Sequence, residues 1–248
     1  MLVVLSTSAS ATMVNLNSSG EAYIRSIAAT SDDIFDTGEL LLGRVAPNDW
    51  IRSVMAFDLS SIPDGATINS VSLSLTIGSQ DGGTVGASTD SLGTQGVQLF
   101  QLTGDAEFDS GDGLGDFSWN DQSWGANNAN AGGDDTPWTN PGGDFDSTVI
   151  SFIGNSVIPI KAVTPGTVST LPTSAAFTSA IASNLGDDTV QLLLRTPGIE
   201  TGFNERKLIR FTNTPTLSIN YTAAVPEPQT ALLFLGGLAG LTLLRRRL

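Results

Sequence analysis

Histidine and cysteine are both absent from this sequence of 248 residues. Their absence removes Ser-His-Asp and Cys-His nucleophilic triads, nearly all zinc sites, disulfides and acid-base chemistry on imidazole. Any catalysis would have to use carboxylates, tyrosine, lysine or arginine, and no pair of acids is marked by its spacing for glycoside hydrolysis. We therefore expect a protein that is not an enzyme.

The tryptophans are the first candidates for ligand binding. Trp119, Trp124 and Trp138 fall within one region rich in Gly, Asp and Asn, residues 103–147, and Trp50 follows Asp49 in another predicted loop. Indole faces stack on the apolar faces of sugar rings, and neighbouring Asp, Asn and Gln accept hydrogen bonds from sugar hydroxyls. The four tryptophans are thus predicted carbohydrate-binding residues. The alternative is that they fill the core or fasten the long loop.

Acidic residues in the same region suggest a calcium site. Calcium takes about six to eight oxygen ligands, which Asp-Gly loops supply from side chains and carbonyls. The predicted ligands are Asp112, Asp116, Asp144 and Asp146. No stretch has the spacing of an EF-hand, and residues 111–116 are only a fragment of a β-roll repeat. Solvated acids in turns are the alternative.

The formal net charge is −14, and three of the eleven cationic residues are the C-terminal Arg245, Arg246 and Arg247. Phosphate binding needs basic patches, so we expect no nucleic-acid partner. An acidic surface keeps an exported protein soluble, and it can also hold divalent cations.

Several stretches alternate apolar and small polar residues with a period of two, the pattern of a β-strand with one buried face. The clearest pattern has Val71, Leu73, Leu75 and Ile77 alternating with Ser72, Ser74 and Thr76. The pattern recurs at Val190, Leu192 and Leu194, and at Leu217, Ile219 and Tyr221. Shorter strands are predicted at residues 22–27, 39–43, 52–59, 97–102 and 148–153.

One segment has helical spacing instead. Phe177, Ile181 and Leu185 lie four residues apart; Thr173 or Ser174 could cap this helix, and Gly186 could end it. Many short strands with one short helix predict an all-β fold. We expect a jelly-roll-like antiparallel β-sandwich with the helix packed across one end.

The N-terminal residues are typical of the end of a secretory signal peptide. Residues 1–5 are apolar, and Ala9-Ser10-Ala11 supplies an A-x-A cleavage pattern. Residues 1–11 are therefore predicted to be a partial signal peptide, with a frayed terminus as the alternative.

The C-terminal residues, 223–248, contain three parts in order. Two prolines keep Val225-Pro226-Glu227-Pro228 extended, residues 231–244 are uncharged and mostly hydrophobic, and the arginines follow. The hydrophobic span is shorter than the hydrocarbon core of a bilayer, about 30 Å. The positive-inside rule keeps the arginines in the cytoplasm and places the upstream domain outside. The alternative is a plain short membrane anchor.

This order of motif, hydrophobic span and basic cluster resembles the PEP-CTERM sorting segment of Gram-negative bacteria. The resemblance implies a C-terminal hydrophobic sorting helix that holds the chain in the membrane until a membrane enzyme of the exosortase type cleaves near the motif. It also implies that the mature protein is exported to the cell surface or the extracellular matrix.

The middle of the chain is similar to DNRLRE-type domains over about residues 20–222, and we place the domain at residues 12–222. The similar stretches read EAYIR (21–25), RSVMAFDLSSIP (52–63), GATI (65–68), WNDQSW (119–124), PWTNPGGDFD (137–146) and PTLSINY (215–221). The resemblance implies a β-sandwich. The family includes carbohydrate-binding modules of extracellular polysaccharide-degrading enzymes and stalk-like parts of surface proteins.

Two functions from different classes follow. The first is a binding module that holds extracellular polysaccharide. The second is a structural surface or biofilm matrix protein that has no small ligand and uses its domain as a spacer.

Overall fold

The computed structural model describes residues 9–26, 39–46, 49–82, 96–104, 106, 121–123, 136–140, 142–153, 166–196 and 207–224. Over these residues the chain is predominantly antiparallel β-sheet with one short α-helix. The all-β class predicted from the period-two patterns is confirmed at this level.

The elements follow one another along the chain with these bounds. They are β1 (Ala11–Asn17), β2 (Gly20–Arg25), β3 (Glu39–Ala46), β4 (Asp49–Asp58), β5 (Thr67–Gly82), β6 (Val97–Gln101), β7 (Asp121–Ser123), β8 (Thr136–Pro137), β9 (Ser151–Ile153), β10 (Val168–Leu171), α1 (Ala175–Ser183), β11 (Thr189–Arg195) and β12 (Lys207–Thr222).

The last strand lies in the middle of the sheet. The strand order is β10-β5-β12-β3-β4-β11-β6-β9, with β1 also paired to β12 and β2 to β4. β5 pairs along one side of β12, while on the other side β12 pairs first with β3 and then with β1. β7 and β8 form a separate pair.

The main hydrophobic cluster contains side chains from β5 and β12, near one end of the strand order, and from β4 and β11, nearer the other end. Leu73 and Leu75 of β5 and Leu217 and Ile219 of β12 belong to the same buried cluster as Phe57 of β4. The alternating positions of β11 join them: Val190, Leu192 and Leu194, all fully buried. The predicted inward faces of β5, β11 and β12 are therefore the faces that the structure buries.

A second hydrophobic cluster covers the opposite face of β4, β6 and β11. Val54, Phe100 and Leu193 point away from the main cluster and are buried with Trp138. Strand β11 is thus buried on both faces, which the alternation at Val190, Leu192 and Leu194 alone did not predict.

The helix forms where the spacing predicts it. Ser174 is the N-cap, and its hydroxyl accepts a hydrogen bond from the Phe177 amide at 2.9 Å. Phe177, Ile181 and Leu185 are all buried in the main cluster. The predicted end at Gly186 is wrong, because the helix already ends at Ser183. Asn184 is the C-cap, and Gly186 lies in the 3-10 turn that follows.

The sequence did not predict β1 or β10. In β1 only Val14 and Leu16 are partly buried, which is too little alternation to distinguish a strand from the small residues after a signal peptide. β10 has only four residues. The strand predicted at residues 148–153 is shorter, Ser151–Ile153.

Candidate functional site

Two of the four predicted carbohydrate-binding tryptophans lie within the described residues. Trp138 belongs to the second hydrophobic cluster, and Trp50 packs against it. Trp138 is 4% exposed among Phe100, Leu102 and Leu193, so its ring faces contact protein. Trp50 is partly buried against the same cluster. Trp119 and Trp124 lie outside the described residues. The position of Trp138 matches the alternative that an indole fastens the long loop.

Two arginines hold the segment that follows Trp138. Arg52 Nη1 donates a hydrogen bond to the Gly142 carbonyl at 2.8 Å, and its guanidinium lies 5.7 Å from the Phe145 ring centroid. The Arg195 guanidinium lies 5.5 Å from the same ring, and the Phe145 ring contacts the Phe100 ring at 4.9 Å. Cation–π contacts of this kind add to the packing of the rings. We call these side chains with Trp138 the aromatic cluster. They fasten residues 138–140 and 142–145 to the sheet.

Asp144, a predicted calcium ligand, uses its carboxylate within its own loop. Its oxygens accept hydrogen bonds from the Thr139 amide at 2.6 Å and the Asn140 amide at 2.7 Å. Partial burial alone would raise the pKa of Asp144, but the hydrogen bonds from Thr139 and Asn140 outweigh it and leave the pKa below 3.8. The carboxylate is therefore held charged by backbone donors.

Asp146 makes a similar local turn, since its carboxylate accepts a hydrogen bond from the Thr148 amide at 2.8 Å, which lowers its pKa. Within the residues that the structure describes, no group of three or more acidic side chains is placed to hold a metal ion. Asp112 and Asp116 lie outside those residues, so the calcium site stays a prediction.

A different surface gathers polar side chains from four neighbouring strands. On β5 and β12 the residues between the buried positions point outward, and the register aligns them in rows with β1 and β10. One row is Asn15, Ser218 and Ser72, and the next is Asn17, Thr216, Ser74 and Thr170. Further polar residues of β5 and β12 continue this surface; they are Asn69, Ser70, Thr76, Asn220 and Thr222. We call this set of residues the polar face.

Side chains on the polar face are linked to one another across the strands. Ser218 donates a hydrogen bond to Asn15 Oδ1 at 2.8 Å, and Asn69 Nδ2 donates to Asn220 Oδ1 at 2.8 Å. The hydroxyls of Ser74 and Thr170 are 3.3 Å apart. From the strand spacing and the rise per residue, the face measures about 14 Å by 20 Å. These links fix the orientation of the side chains on the polar face.

The polar face contains only Ser, Thr and Asn, with the exposed side chains of Met13 and Val168 at its two edges. Hydroxyl and amide groups both donate and accept hydrogen bonds, as sugar hydroxyls do. The alternation of Ser72, Ser74 and Thr76 in the sequence indicated that one face of β5 is polar. It could not show that β1 and β12 continue the same surface, because strand order and register bring them together.

No protein-family model matches the sequence, and no curated protein matches it either. The predicted sorting residues Val225, Pro226, Glu227 and Pro228 and the arginines 245–247 lie outside the described residues. In the part of the chain that the structure does describe, no helix has the length and hydrophobicity needed to cross a bilayer.

Proposed function

We propose that this chain is an exported, non-catalytic protein of the cell surface or extracellular matrix that binds polysaccharide through its polar face. The observation that carries the proposal is the uncharged array of hydroxyl and amide groups on β1, β12, β5 and β10, already oriented by its own hydrogen bonds. Because these groups are ordered in advance, a ligand that hydrogen-bonds to them loses less side-chain entropy on binding.

We further propose that the sheet is a jelly-roll-like β-sandwich. The supporting observation is that Leu73 and Leu217, on one side of the strand order, share a buried cluster with Phe57 and Leu192 on the other. Two antiparallel layers packed over one core expose one flat outer face on each side. Here one outer face is polar, and the other is covered by the aromatic cluster.

The proposed binding surface is the polar face, whereas the sequence first predicted binding by the tryptophans. Trp138 has no exposed ring face for a sugar. Roles for Trp50, Trp119 and Trp124 in sugar stacking stay predictions. Without an aromatic platform, binding by the polar face would be weak for one chain and would gain strength when many copies bind one polymer.

A retention experiment on the full chain tests the binding proposal. Beads carrying extracellular polysaccharides of several classes are mixed with the protein and washed, and the bound fraction is measured. Ser72→Val with Ser218→Val removes two neighbouring hydroxyls from the centre of the face, while valine is well suited to a strand. We expect several-fold weaker retention of this variant, and no change for Thr189→Val, an exposed position on β11.

Absence of retention on every polysaccharide would favour the structural alternative, a surface or matrix protein that serves as a spacer. Release of new reducing ends from a polysaccharide at a sustained rate would contradict the proposal that the protein is not an enzyme. The two measurements use the same protein sample and separate the three classes of function.

Export and processing are proposed from the two ends of the sequence. The order of motif, hydrophobic span and arginines supports cleavage by an exosortase-type enzyme, after the chain has been held in the membrane. The mass of the mature protein recovered from its host tests this. A mass equal to the whole sequence, with the terminal arginines present in a cytosolic fraction, would contradict export.

Calcium binding by Asp112, Asp116, Asp144 and Asp146 is proposed on the chemistry of Asp-Gly loops alone. An ion that binds only the folded state stabilises it by an amount that grows with the logarithm of the ion concentration once this exceeds the Kd. Calcium should then raise the Tm of the full chain, and a chelator should reverse the rise. Equal Tm values with calcium and with chelator would contradict it.

A further inference from the structure

Strand β1 is an exposed edge of the sheet. Among the described residues it pairs with β12 alone, in a register that runs without interruption along the strand. Its side chains are exposed, except for Val14 and Leu16, which are partly buried against the main cluster. On the side of β1 away from β12, the backbone therefore faces no other described strand.

A hydrogen bond just after β1 shows which of its backbone groups point outward. The Ser18 amide donates to the Pro215 carbonyl at 3.1 Å, in the same register as the pairing of β1 with β12. Hydrogen-bonded residues alternate along an antiparallel strand. Thr12, Val14 and Leu16 therefore bond to β12, and the amides and carbonyls of the odd-numbered residues point away from it. These residues are Ala11, Met13, Asn15 and Asn17.

The other edge strands of the main sheet are protected against pairing with another chain, and β1 is not. β9 and β10 have only three and four residues, and Pro172 follows β10. β2 carries Glu21 and Arg25, and its central residues are buried. Shortness, charge, proline and cover are the usual protections of a sheet edge. β1 has seven residues, with no charge, proline, glycine or bulge.

We propose that β1 pairs with β1 of a second copy of this chain, antiparallel and about a twofold axis at Val14, so that one sheet continues into the other. This goes beyond the proposed function and does not depend on it. The register centred on Val14 pairs Met13 with Asn15 of the second copy and uses all the outward backbone groups of β1. Because the pairing uses up both edges, assembly stops at a dimer.

The side chains and the charge favour a second copy as the occupant of this edge. Met13 is 59% exposed, although it is large and apolar. In the proposed register the two Met13 side chains are diagonal neighbours on the outer face, within reach of each other. The formal charge of −14 makes two copies repel each other. They can approach with least repulsion along a strand that has no charge.

A dimer held by one strand should be weak. Seven residues span about 24 Å. Their edge is much smaller than the area that each partner buries in a standard interface, roughly 800 Å². We therefore expect a Kd on the order of 100 µM. Added salt should strengthen the dimer, because it screens the repulsion between two acidic molecules.

Sedimentation velocity of the full chain, at concentrations below and above this Kd, tests the proposal. Met13→Pro removes an outward amide and leaves the bonds to β12, a change that edge strands tolerate. Val168→Pro is the matched control on β10, since Val168 is also 59% exposed. Its amide points outward too, because the neighbouring Thr167 carbonyl accepts from the Ile77 amide at 2.9 Å.

We expect Met13→Pro to raise the Kd of the dimer about tenfold or more, and Val168→Pro to leave it unchanged. Met13→Lys and Met13→Glu should each weaken the dimer. An equal mixture of these two variants should restore it, because opposite charges then meet across the twofold axis. Thermal unfolding verifies that each variant is folded, and the mixture still tests the pairing if Met13→Pro does not fold.

Two outcomes would overturn the inference. A full chain that stays monomeric at all these concentrations would show that the edge of β1 does not bind a second copy. A dimer that persists in Met13→Pro, or that Val168→Pro weakens equally, would show that the copies meet elsewhere, for instance through the predicted hydrophobic span. Retention on polysaccharide is measured separately, so either failure leaves the proposed function standing.

Discussion

The loop after Trp138 is stabilised by single side chains that bind its own backbone. The carboxylate of Asp144 accepts hydrogen bonds from two amides of the loop. Its backbone carbonyl also accepts a hydrogen bond from the Thr103 amide at 2.8 Å. The residue therefore joins the loop to the end of β6. In the contacts that the structure describes, Asp144 stabilises the loop.

Replacing Asp144 with Asn should make stability less dependent on pH. The folded state holds the pKa of Asp144 below 3.8, so its contribution is present above that value and is lost as the pH falls through the folded pKa. We expect the variant to be about 1 kcal/mol less stable near neutral pH. Urea unfolding at several pH values measures the difference.

The difference between the two proteins should shrink in acid, because the protonated Asp144 no longer accepts both amide hydrogen bonds as a charged group. Asp64→Asn, in the exposed turn before β5, is the control. A gap that stays constant from neutral pH to acid would show that the carboxylate charge contributes nothing.

Three glycines differ in backbone conformation and in the space around them, so they allow the cost of a positive φ to be distinguished from the cost of close packing. Gly143 has a φ of 98°, and an added Cβ would lie 2.9 Å from Leu193 Cδ1 and 3.3 Å from Leu102 Cδ1. Gly65 also has a positive φ, 73°, but has open space around it, and Gly186 has open space and an ordinary φ. At Gly143 the loop backbone thus lies close against Leu193 and Leu102 of the second hydrophobic cluster.

Alanine at these positions should destabilise the fold in a fixed order. Gly186→Ala should be near neutral, Gly65→Ala should cost about 1 kcal/mol for the left-handed backbone, and Gly143→Ala should cost more because Leu193 must also move. Urea unfolding of the three variants measures the order. Equal costs for Gly65→Ala and Gly143→Ala would show that Leu193 and Leu102 adjust freely.

At the scale of elements, Ser174 connects α1 to the sheet in two ways. Its hydroxyl accepts from the Phe177 amide and donates to the Ile150 carbonyl, just before β9. A single side chain therefore caps the helix and donates a hydrogen bond to the carbonyl that immediately precedes β9.

Ser174→Ala should remove both interactions and cost about 1 to 2 kcal/mol. Ser174→Asp keeps an acceptor for the Phe177 amide but cannot donate to Ile150 when charged, so it should recover only part of the loss. Ser183→Ala, at the exposed end of the helix, is the control. Thermal unfolding compares the three; full recovery by Asp would show that only the cap matters.

Elements with a clear period were predictable, and elements defined by their neighbours were not. The alternation of Val71 to Ile77 predicted β5, and the four-residue spacing of Phe177, Ile181 and Leu185 predicted α1. Burial of Leu193 on the second face of β11 depends on Trp138, which is distant in sequence. The rows of the polar face depend in the same way on the register of β1 with β12, which no local pattern specifies.

At the scale of the whole molecule, β1 covers part of the edge of β12. Ala11 to Asn17 pair with Thr222 to Thr216, and Val14 and Leu16 pack on the main cluster. The predicted cleavage after Ala11 would leave this strand almost whole. The strand also supplies Asn15 and Asn17 to the polar face.

A chain that begins at Ser18 should therefore be less stable than one that begins at Thr12, by about 2 kcal/mol for the two apolar contacts. It should also associate with itself, because the uncovered edge of β12 presents unpaired backbone groups. Urea unfolding and light scattering measure the two effects. Equal stability of the two chains would show that β1 is dispensable for the fold.

The position of β12 has a consequence for the order of events in the cell. This strand is the last described strand of the chain, and β5, β3 and β1 all pair with it. Thr222 of β12 pairs with Ala11, near the opposite end of the sequence. Contacts between such distant residues form slowly. Until residue 222 has been synthesised, β12 is incomplete, and β5, β3 and β1 lack this pairing partner. We therefore expect the fold to close only late in synthesis, and a chain that is still open can be threaded through a narrow translocation channel.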